Sequence, residues 1–327
     1  MNKKLNDLLN VEILKKVPKN LKPIEYLVDM LSISKESAYR RMRGEIPFSF
    51  DEISSLSLDL DFSVDEIIGN KKEDRIFFDA ISKPEGRVEE SFLAILRDYY
   101  KLTESVCKAT QKDMILSINR LIPCLLLKYD SLFKLLYYQW IHQTSTIRIN
   151  HPFSEIVIPT EISELRKKYK KLVQPMRSAN IIVDKNIFLS TIREIQYYYG
   201  RKLISENELL TLKQDLIKLL FDIEFLMQKG CNESGCEYNF YLSMLNIESN
   251  TAWISFDSNI ISRFWLYPVN PIIISNPKTS NAHKKWLESL KKYSILITQS
   301  NEILQTKFID KQREYIENIT NDLIFYE

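Results

Sequence analysis

Residues 23–69 are the most regular part of the chain, and apolar positions recur at helical spacing in its first segment. They predict an amphipathic helix with an apolar inner side. After Ser34 the chain becomes polar, and Ala38 and Met42, one turn apart, would face inward on a second helix. The apolar positions of the first helix are Ile24, Leu27, Val28 and Leu31. Two short amphipathic helices therefore follow each other closely.

Residues with strong positional preferences mark the ends of these two helices. Pro23 suits a first helical position, where its missing N–H would have no partner in any case. Ser32 and Ile33 make the turn, and Ser34 is a good N-cap for the second helix. Gly44 is placed as a C-cap, so the second helix is predicted to end there.

Further helices complete a small bundle on either side of this pair. Asp51 or Ser49 starts a third helix, and Ser63–Glu66 has the spacing of a capping box, which opens a last turn ending at Gly69. The core candidates of the third helix are Ile53, Leu56, Leu58 and Leu60. A helix before Pro23 would pack on the bundle through Leu5, Leu9, Ile13 and Val17.

The second helix of the pair leaves a polar, mostly basic side facing outward. The DNA major groove admits one α-helix, so this helix suits DNA recognition. The predicted base-contacting residues are Lys35, Glu36, Tyr39 and Arg40. The predicted phosphate-contacting residues are Lys22, Ser34, Arg41 and Arg43. An ordinary helical bundle with a solvated basic face is the alternative interpretation.

Residues 25–69 resemble the DNA-binding domain of the lambda-repressor-like (XRE-type) helix-turn-helix family. The matching positions are Ile33-Ser34, Arg40, Gly44 and Ser63–Gly69. Two positions depart from the family pattern: Val28 replaces a small residue and Ser32 replaces the usual glycine of the turn. The resemblance implies DNA binding, usually by a dimer on a palindrome. The whole chain also resembles helix-turn-helix regulators of Bacteroidetes.

The charge of the N-terminal part favours a dimer. Residues 1–70 contain 10 Lys and Arg against 12 Asp and Glu, a balance of −2. Because nonspecific affinity scales with the phosphates that are neutralised, one copy should bind DNA only modestly. Two linked copies double the contacts. We therefore expect a homodimer, held mainly by helices within residues 91–229.

The rest of the chain is predicted to be helical first and strand-rich later. Residues 71–90 are polar and are interpreted as a linker. Residues 91–230 have helical periodicity, and alternation begins after Cys231. The predicted strands are Tyr241–Ile247, Thr251–Phe256 and Ile260–Tyr267, with a hairpin turn at Ser249-Asn250 and a short strand at Ser294–Thr298. Helices return at Lys278–Tyr293 and Phe308–Tyr326.

The predicted fold class is therefore mainly α, in three parts. Residues 1–70 form a helix-turn-helix bundle, and residues 71–90 form the linker. Residues 91–327 form a helical middle region followed by an α+β part with a small antiparallel sheet. This last part is expected to dimerise and to sense a signal.

Composition limits the chemistry. A chain of 327 residues, 45% apolar and 27% charged, suits a globular protein of two or three domains. It has no apolar run of about 18 residues and no secretory h-region, so a cytoplasmic protein with reduced cysteines is expected. The three histidines and four cysteines show no metal-ligand spacing. Without a glycine-rich phosphate loop either, we expect no metal, no cofactor and no enzymatic activity.

Aromatic residues of the C-terminal part are candidates for an effector pocket. The candidate lining residues are Trp265, Tyr267, His283 and Trp286. Aromatic core packing is the alternative interpretation for each of them. The sequence therefore predicts a transcription regulator that binds double-stranded DNA and responds to a small molecule or a protein. The rival predictions are a helical protein-interaction protein without DNA binding and, more weakly, an enzyme with an appended helix-turn-helix.

Overall fold

The computed structural model describes residues 5–18, 20–60, 62–64, 67, 79–80, 87–144, 150–172, 178–265 and 269–320. The chain forms two compact units, Met1–Phe77 and Phe78–Glu327. Most of the predicted linker 71–90 lies outside the described residues. Part of the predicted capping box, Gly69, Tyr267 and the predicted helix end beyond residue 320 also lie outside them.

The first unit is a bundle of short helices. Its helices are α1 (Leu5–Lys16), α2 (Pro23–Leu31), α3 (Lys35–Met42) and α4 (Phe50–Asp59). Its core contains Leu9, Leu27, Ala38 and Leu56, each at most 2% exposed. The prediction that Leu58 belongs to this core is wrong, because Leu58 is 82% exposed. Two residues along an α-helix turn the side chain by about 200°, so Leu56 and Leu58 face opposite ways.

The second unit combines helices with one large sheet. Its helices are α5 (Val88–Lys108), α6 (Pro123–Leu126), α7 (Asp130–Thr144), α8 (Thr160–Lys171), α9 (Leu189–Gly200), α10 (Glu206–Lys229), α11 (Pro277–Lys292) and α12 (Glu302–Glu317). Short 3-10 turns lie at Phe153–Glu155 and Asn318–Thr320. The strands are β1 (Asp79–Ala80), β2 (Lys112–Ile118), β3 (Ser178–Val183), β4 (Glu237–Ser243), β5 (Thr251–Phe256), β6 (Asn259–Trp265), β7 (Pro271–Ile274) and β8 (Ser294–Leu296).

The predicted small antiparallel sheet is wrong, although the prediction of a mainly helical chain is right. The described residues form an eight-stranded mixed sheet in the order β1-β7-β6-β5-β2-β3-β4-β8. Strand β3 pairs in parallel with both β2 and β4, while the other neighbours are antiparallel. Helices α6 to α10 make the crossover connections between the parallel strands. Parallel strands need such long connections, which is why the helical middle region and the sheet belong to one unit.

Strand β2 was missed for a physical reason. Its last four residues, from Ile115 to Ile118, are all buried. A strand covered on both faces loses the apolar–polar alternation by which strands are recognised. In the sequence, the apolar residues of β2 therefore read as a continuation of the preceding helix, although that helix ends at Lys108.

The predicted hairpin at Ser249-Asn250 is also wrong. Strand β4 pairs with β3 and β8, whereas β5 pairs with β2 and β6. The tight turn lies at Asp257 instead, between Phe256 and Asn259, and Asp257 has φ 48°. Its carboxylate accepts hydrogen bonds from the backbone N–H groups of Thr110 and Gln111, both at 3.0 Å.

The two faces of the sheet have different covers. One face joins the large core that includes α5, α7 and α10, with Leu116, Ile181 and Phe240 from the central strands. The other face packs on α11, whose Leu287 and Leu290 belong to a smaller hydrophobic cluster together with Ile115, Ile182 and Trp253. Burying a side chain of this size is worth about 1.5–3 kcal/mol, so the larger core dominates the stability of the second unit.

Candidate nucleic-acid interface

The turn between α2 and α3 positions α3. Ser32 follows α2 with φ 52° and ψ 42°, in the left-handed region. Ser34 then caps α3, and its hydroxyl accepts a hydrogen bond from the Ser37 N–H at 3.2 Å. The predicted roles of Ser32 and Ser34 at this turn are thus confirmed. The left-handed conformation is uncommon for a residue with a side chain and costs about 1–3 kcal/mol.

The C-terminal end of α3 is held by α1. Asn10 Nδ2 donates to the Met42 carbonyl at 2.9 Å and lies 3.3 Å from the Arg41 carbonyl. Asn6 Nδ2 donates to the same Arg41 carbonyl at 3.2 Å. The last carbonyls of a helix have no partner within it, so these amides give the Met42 carbonyl a partner and add to the hydrogen bond that the Arg41 carbonyl accepts from the Gly44 N–H at 2.9 Å. Gly44, with φ 75°, turns the chain away directly afterwards.

Arg41 lies on the side of α3 that faces α4. Its Nη2 is 2.7 Å from Glu52 Oε1, and its Nε donates to Glu52 Oε2 at 3.1 Å. The two side chains are only 14% and 17% exposed. Burial alone would raise the pKa of the Glu52 carboxyl. Hydrogen bonds from Arg41 and from the Ser49 N–H, with the positive charge of Arg41, outweigh burial and hold that pKa below its usual value.

The opposite side of α3 faces solvent. Tyr39 is 46% exposed. The exposed residues on this side are Lys35, Glu36, Tyr39, Arg40 and Arg43. At 100° per residue they fall within about 140° of the helix circumference. The structure thus brings together the four predicted base-contacting residues and one predicted phosphate-contacting residue on a single surface, named here the α3 surface.

Acidic neighbours moderate the charge of the α3 surface. Glu45 lies 3.5 Å from Arg40 Nε and 3.0 Å from Arg43 Nε. These pairs are solvent-exposed, so they contribute little free energy and exchange readily for other anions. Lys22, just before α2, is similarly paired with Glu25 at 3.4 Å and its side chain is 80% exposed.

Of the remaining predicted phosphate contacts, Ser34 is accessible and Arg41 is not part of the α3 surface. Ser34 is exposed at the N-terminus of α3, where its hydroxyl serves as the cap. The Arg41 guanidinium also donates to the Ser37 hydroxyl and is held inside the bundle. Arg41 therefore fixes α3 relative to α4.

Several supporting residues were missed by the sequence analysis. Ser49, one of the two predicted starts of the third helix, is the N-cap of α4, and Glu52 completes a capping box that the Ser-x-x-Glu spacing could have indicated. Tyr26 donates to Asp59 at 2.5 Å and connects α2 to α4. Asn10 had no sequence signal, because its partners lie more than thirty positions away.

The structure places two of the candidate effector-pocket residues, Trp265 and His283, on opposite faces of the sheet. Trp265 belongs to the large core, where its Nε1 donates to the Tyr99 hydroxyl at 2.6 Å. His283 lies on the other face of the sheet, with Nδ1 2.9 Å from the Ser262 hydroxyl. Its ring packs at 4.5 Å from Phe264 and is stacked on Trp286 at 6.1 Å. Tyr267 lies outside the described residues.

Within the described part of the chain, no group of three or more His, Cys, Asp or Glu side chains is placed to hold a metal ion. The four cysteines, all of them described, form no disulfide. A search of the described helices finds none with the length and apolar character that crossing a membrane requires.

Comparisons with known proteins give little guidance. No family model and no curated protein matches the chain. One solved structure that matches is TrmBL2, an archaeal chromatin protein reported to show a novel mode of DNA binding. The match has 9% identity, covers 87% of this chain and 97% of that chain, and has a TM-score of 0.25. A likeness this weak carries no argument about this chain.

Proposed function

We propose that the chain is a sequence-specific DNA-binding regulator of transcription whose helix α3 enters the major groove. The α3 surface carries the proposal: one side of a short helix is exposed and polar, while the other side is locked to α1 and α4. A rigid helix that offers several long polar side chains is the arrangement that reads base edges in the major groove.

The proposed roles follow from side-chain chemistry. Arg40 pairs with guanine through two parallel hydrogen bonds, and Glu36 accepts from cytosine. Lys35 and Tyr39 complete the contacts to bases. Arg43, Lys22 and the Ser34 hydroxyl contact phosphates, which fixes the register of the helix on the duplex.

Arg41 takes a different role from the one predicted. We propose that it is a positioning residue, because its guanidinium is already paired with Glu52 inside the bundle. Moving it to a phosphate would leave the Glu52 carboxylate, which is only 17% exposed, without its partner, and that costs free energy.

The wider assignment extends this proposal. The turn at Ser32, the cap at Ser34 and the left-handed Gly44 support membership of the lambda-repressor-like family. Such a regulator works as a homodimer in the cytoplasm, where the bacterial chromosome lies. For the effector we favour a protein partner, since Trp265 and His283 lie on opposite faces of the sheet.

A gel-shift assay with genomic DNA fragments tests the function. We expect the full chain to retain a subset of fragments, and Arg40→Ala to weaken binding to them by about 1–3 kcal/mol. Arg87→Ala, which removes an 84% exposed arginine side chain of the second unit, is the matched control and should bind normally. Absence of any retained fragment, or unchanged binding by Arg40→Ala, would contradict the proposal.

One observation favours the rival function, protein binding by the first unit. Val11, Leu14, Phe50 and Leu58 are all more than half exposed on that unit. If no DNA fragment is retained, and Leu58→Glu abolishes co-purification of a protein that the wild-type chain captures, the rival replaces DNA binding.

A further inference from the structure

Helix α10 presents large apolar side chains to solvent along most of its length. The exposed fractions are 51% for Leu210, 48% for Ile217, 65% for Phe221 and 42% for Phe225. Single exposed apolar residues are normal on a protein surface, but a contiguous row of them marks an interaction site. The opposite side of α10 is fully engaged, with Leu212, Leu216 and Ile223 among its buried residues.

These side chains form one continuous row, named here the α10 stripe. Its members are Leu210, Gln214, Ile217, Phe221, Phe225 and Gln228. At 100° per residue they fall within about 80° of the helix circumference, and they extend for about 27 Å. All six are exposed and none is charged. A stripe of this kind fits another helix packed alongside it.

The stripe has nearly the same pattern when read in either direction. Leu210 and Gln228 are equally distant from position 219, and so are Ile217 and Phe221. A twofold interface uses the same patch on both copies and must therefore be complementary to itself. An antiparallel pair of α10 helices centred near Leu219 meets this condition, because each Ile217 then faces the Phe221 of the other copy.

The charges beside the stripe agree with the antiparallel orientation. Lys213 and Glu224 are about three helical turns apart and lie on the same edge. An antiparallel pair places Lys213 of each copy near Glu224 of the other, whereas a parallel pair puts this edge of the two copies on opposite sides of the interface and makes neither contact. The antiparallel pair also aligns the two helix dipoles favourably. Within one copy, Glu224 is 3.5 Å from Arg313, an exposed and weak pair that leaves it available.

We propose that the α10 stripe is the interface at which a second copy of this chain binds, with the two α10 helices antiparallel. The interface is formed by the second unit, and the inference does not rest on DNA binding. Two helix faces of this length bury an area at the low end for specific interfaces, the size class of weak and transient complexes, so we expect a dimer that dissociates on dilution. A dimer built this way carries two copies of the first unit.

Sedimentation velocity of the full chain without DNA, over the micromolar range, tests the proposal. The wild-type chain should shift from monomer to dimer. Phe221→Glu and Ile217→Glu should raise the dissociation constant at least about tenfold, because each places acidic groups against an apolar partner. Val157→Glu is the matched control, since Val157 is 81% exposed in the same unit and does not belong to α10.

Circular dichroism should show all three variants folded, because each replaced side chain is largely exposed or half-exposed. A wild-type chain that stays monomeric throughout would overturn the proposal, whatever covers the stripe. So would a dimer that is unaffected by both folded stripe variants.

A charge exchange tests the orientation separately. Lys213→Glu should weaken the dimer by placing two carboxylates near each other, and adding Glu224→Lys should restore it. Full dimerisation by the single variant, or no recovery in the double variant, would overturn the antiparallel arrangement. Mixing two differently tagged copies before co-purification confirms that the partner is a second copy.

Discussion

Arg41 and Glu52 form a two-pronged ion pair between α3 and α4, with Nη2 2.7 Å from Oε1 and Nε 3.1 Å from Oε2. The same carboxylate accepts the Ser49 N–H at 2.8 Å and so completes the capping box of α4. One carboxylate therefore stabilises the beginning of α4 and holds α3 against it. The orientation of the α3 surface depends on this pair.

The first prediction concerns the geometry of that pair. Arg41→Lys keeps the charge but loses the planar fork that bonds both oxygens of Glu52. We expect the free energy of local unfolding of α3 and α4 to fall by about 1–2 kcal/mol. Hydrogen exchange measured on peptides from the full chain reports this directly. Arg40→Lys, at a side chain that is 48% exposed, is the control, and an equal effect from both variants would contradict the prediction.

The pair also shows how far the sequence could be read. The helices of the first unit follow from local signals: Pro23, Ser34, Gly44 and the Ser49–Glu52 spacing all mark helix ends where the structure has them. The partner of Arg41 cannot be identified from the sequence, because Glu52 lies on another helix. Nothing in the sequence distinguishes Glu52 from a carboxylate that is exposed to solvent. The sequence therefore groups Arg41 with Arg43, which has the same charge but whose side chain points to solvent and not toward α4.

The sheet of the second unit was less readable for a related reason. The hairpin of β5 and β6 depends on residues close in sequence, and its strands were predicted nearly correctly. The pairing of β2 with β3 joins Met114 to Ala179, far apart in the chain. Such pairing leaves no local pattern when the strand is buried on both faces. Helices α9 and α10, which connect β3 to β4, were readable, because Ser205 and Gly230 mark the ends of α10.

A second prediction uses the lowered pKa of Glu52. A carboxyl whose pKa is lower in the folded chain than in the unfolded chain stabilises the fold. This stabilisation is complete when the pH is above the unfolded-state pKa, and it is lost as the pH falls through the folded-state pKa. The ordinary value is 4.5, so the first unit should begin to lose stability below that pH. Hydrogen exchange of α4 at a series of pH values measures it. The Glu52→Gln variant should be less stable than the wild-type chain at neutral pH, and its stability should fall less as the pH is lowered. If its stability falls with pH as steeply as that of the wild-type chain, the assignment to Glu52 is contradicted.

A third prediction concerns Gly44, which ends α3 with φ 75°. A Cβ there would lie 3.7 Å from Asp7 Oδ1, an ordinary contact, so the cost is conformational. We expect Gly44→Ala to destabilise the end of α3 by about 1–2 kcal/mol. Gly200→Ala is the matched control, because that glycine is helical and its Cβ would meet nothing within 4 Å. It should be neutral or stabilising by up to about 1 kcal/mol in α9, and a loss equal to that of Gly44→Ala would contradict the argument.

A fourth prediction separates phosphate contacts from base contacts. Arg43→Ala should weaken binding to all DNA sequences alike and reduce the slope of log K against log salt by about 1. Arg40→Ala should weaken the preferred sequence more than others. Fluorescence anisotropy at several salt concentrations, with a preferred and a scrambled duplex, distinguishes the two. Lys15→Ala removes a 71% exposed lysine side chain of α1 and should leave both the slope and the preference unchanged.

The last prediction concerns His283, buried between α11 and the sheet at 8% exposure. Burial lowers its pKa from 6.5 to about 4, because the apolar surroundings, with Phe264 and Trp286 against the ring, disfavour the imidazolium ion. The unfolded chain binds the proton more readily, so unfolding is favoured as pH falls. The stabilisation is therefore complete above pH 6.5 and is lost between pH 6.5 and about 4.

Thermal melting of the second unit, followed by the fluorescence of its tryptophans, measures this loss of stability. His283→Gln should melt lower at neutral pH and decline less steeply across that window. His142, whose pKa is also lowered by burial, is present in both proteins, so the difference between them belongs to His283. Parallel declines for the wild-type chain and the variant would show that His283 is not the group that titrates.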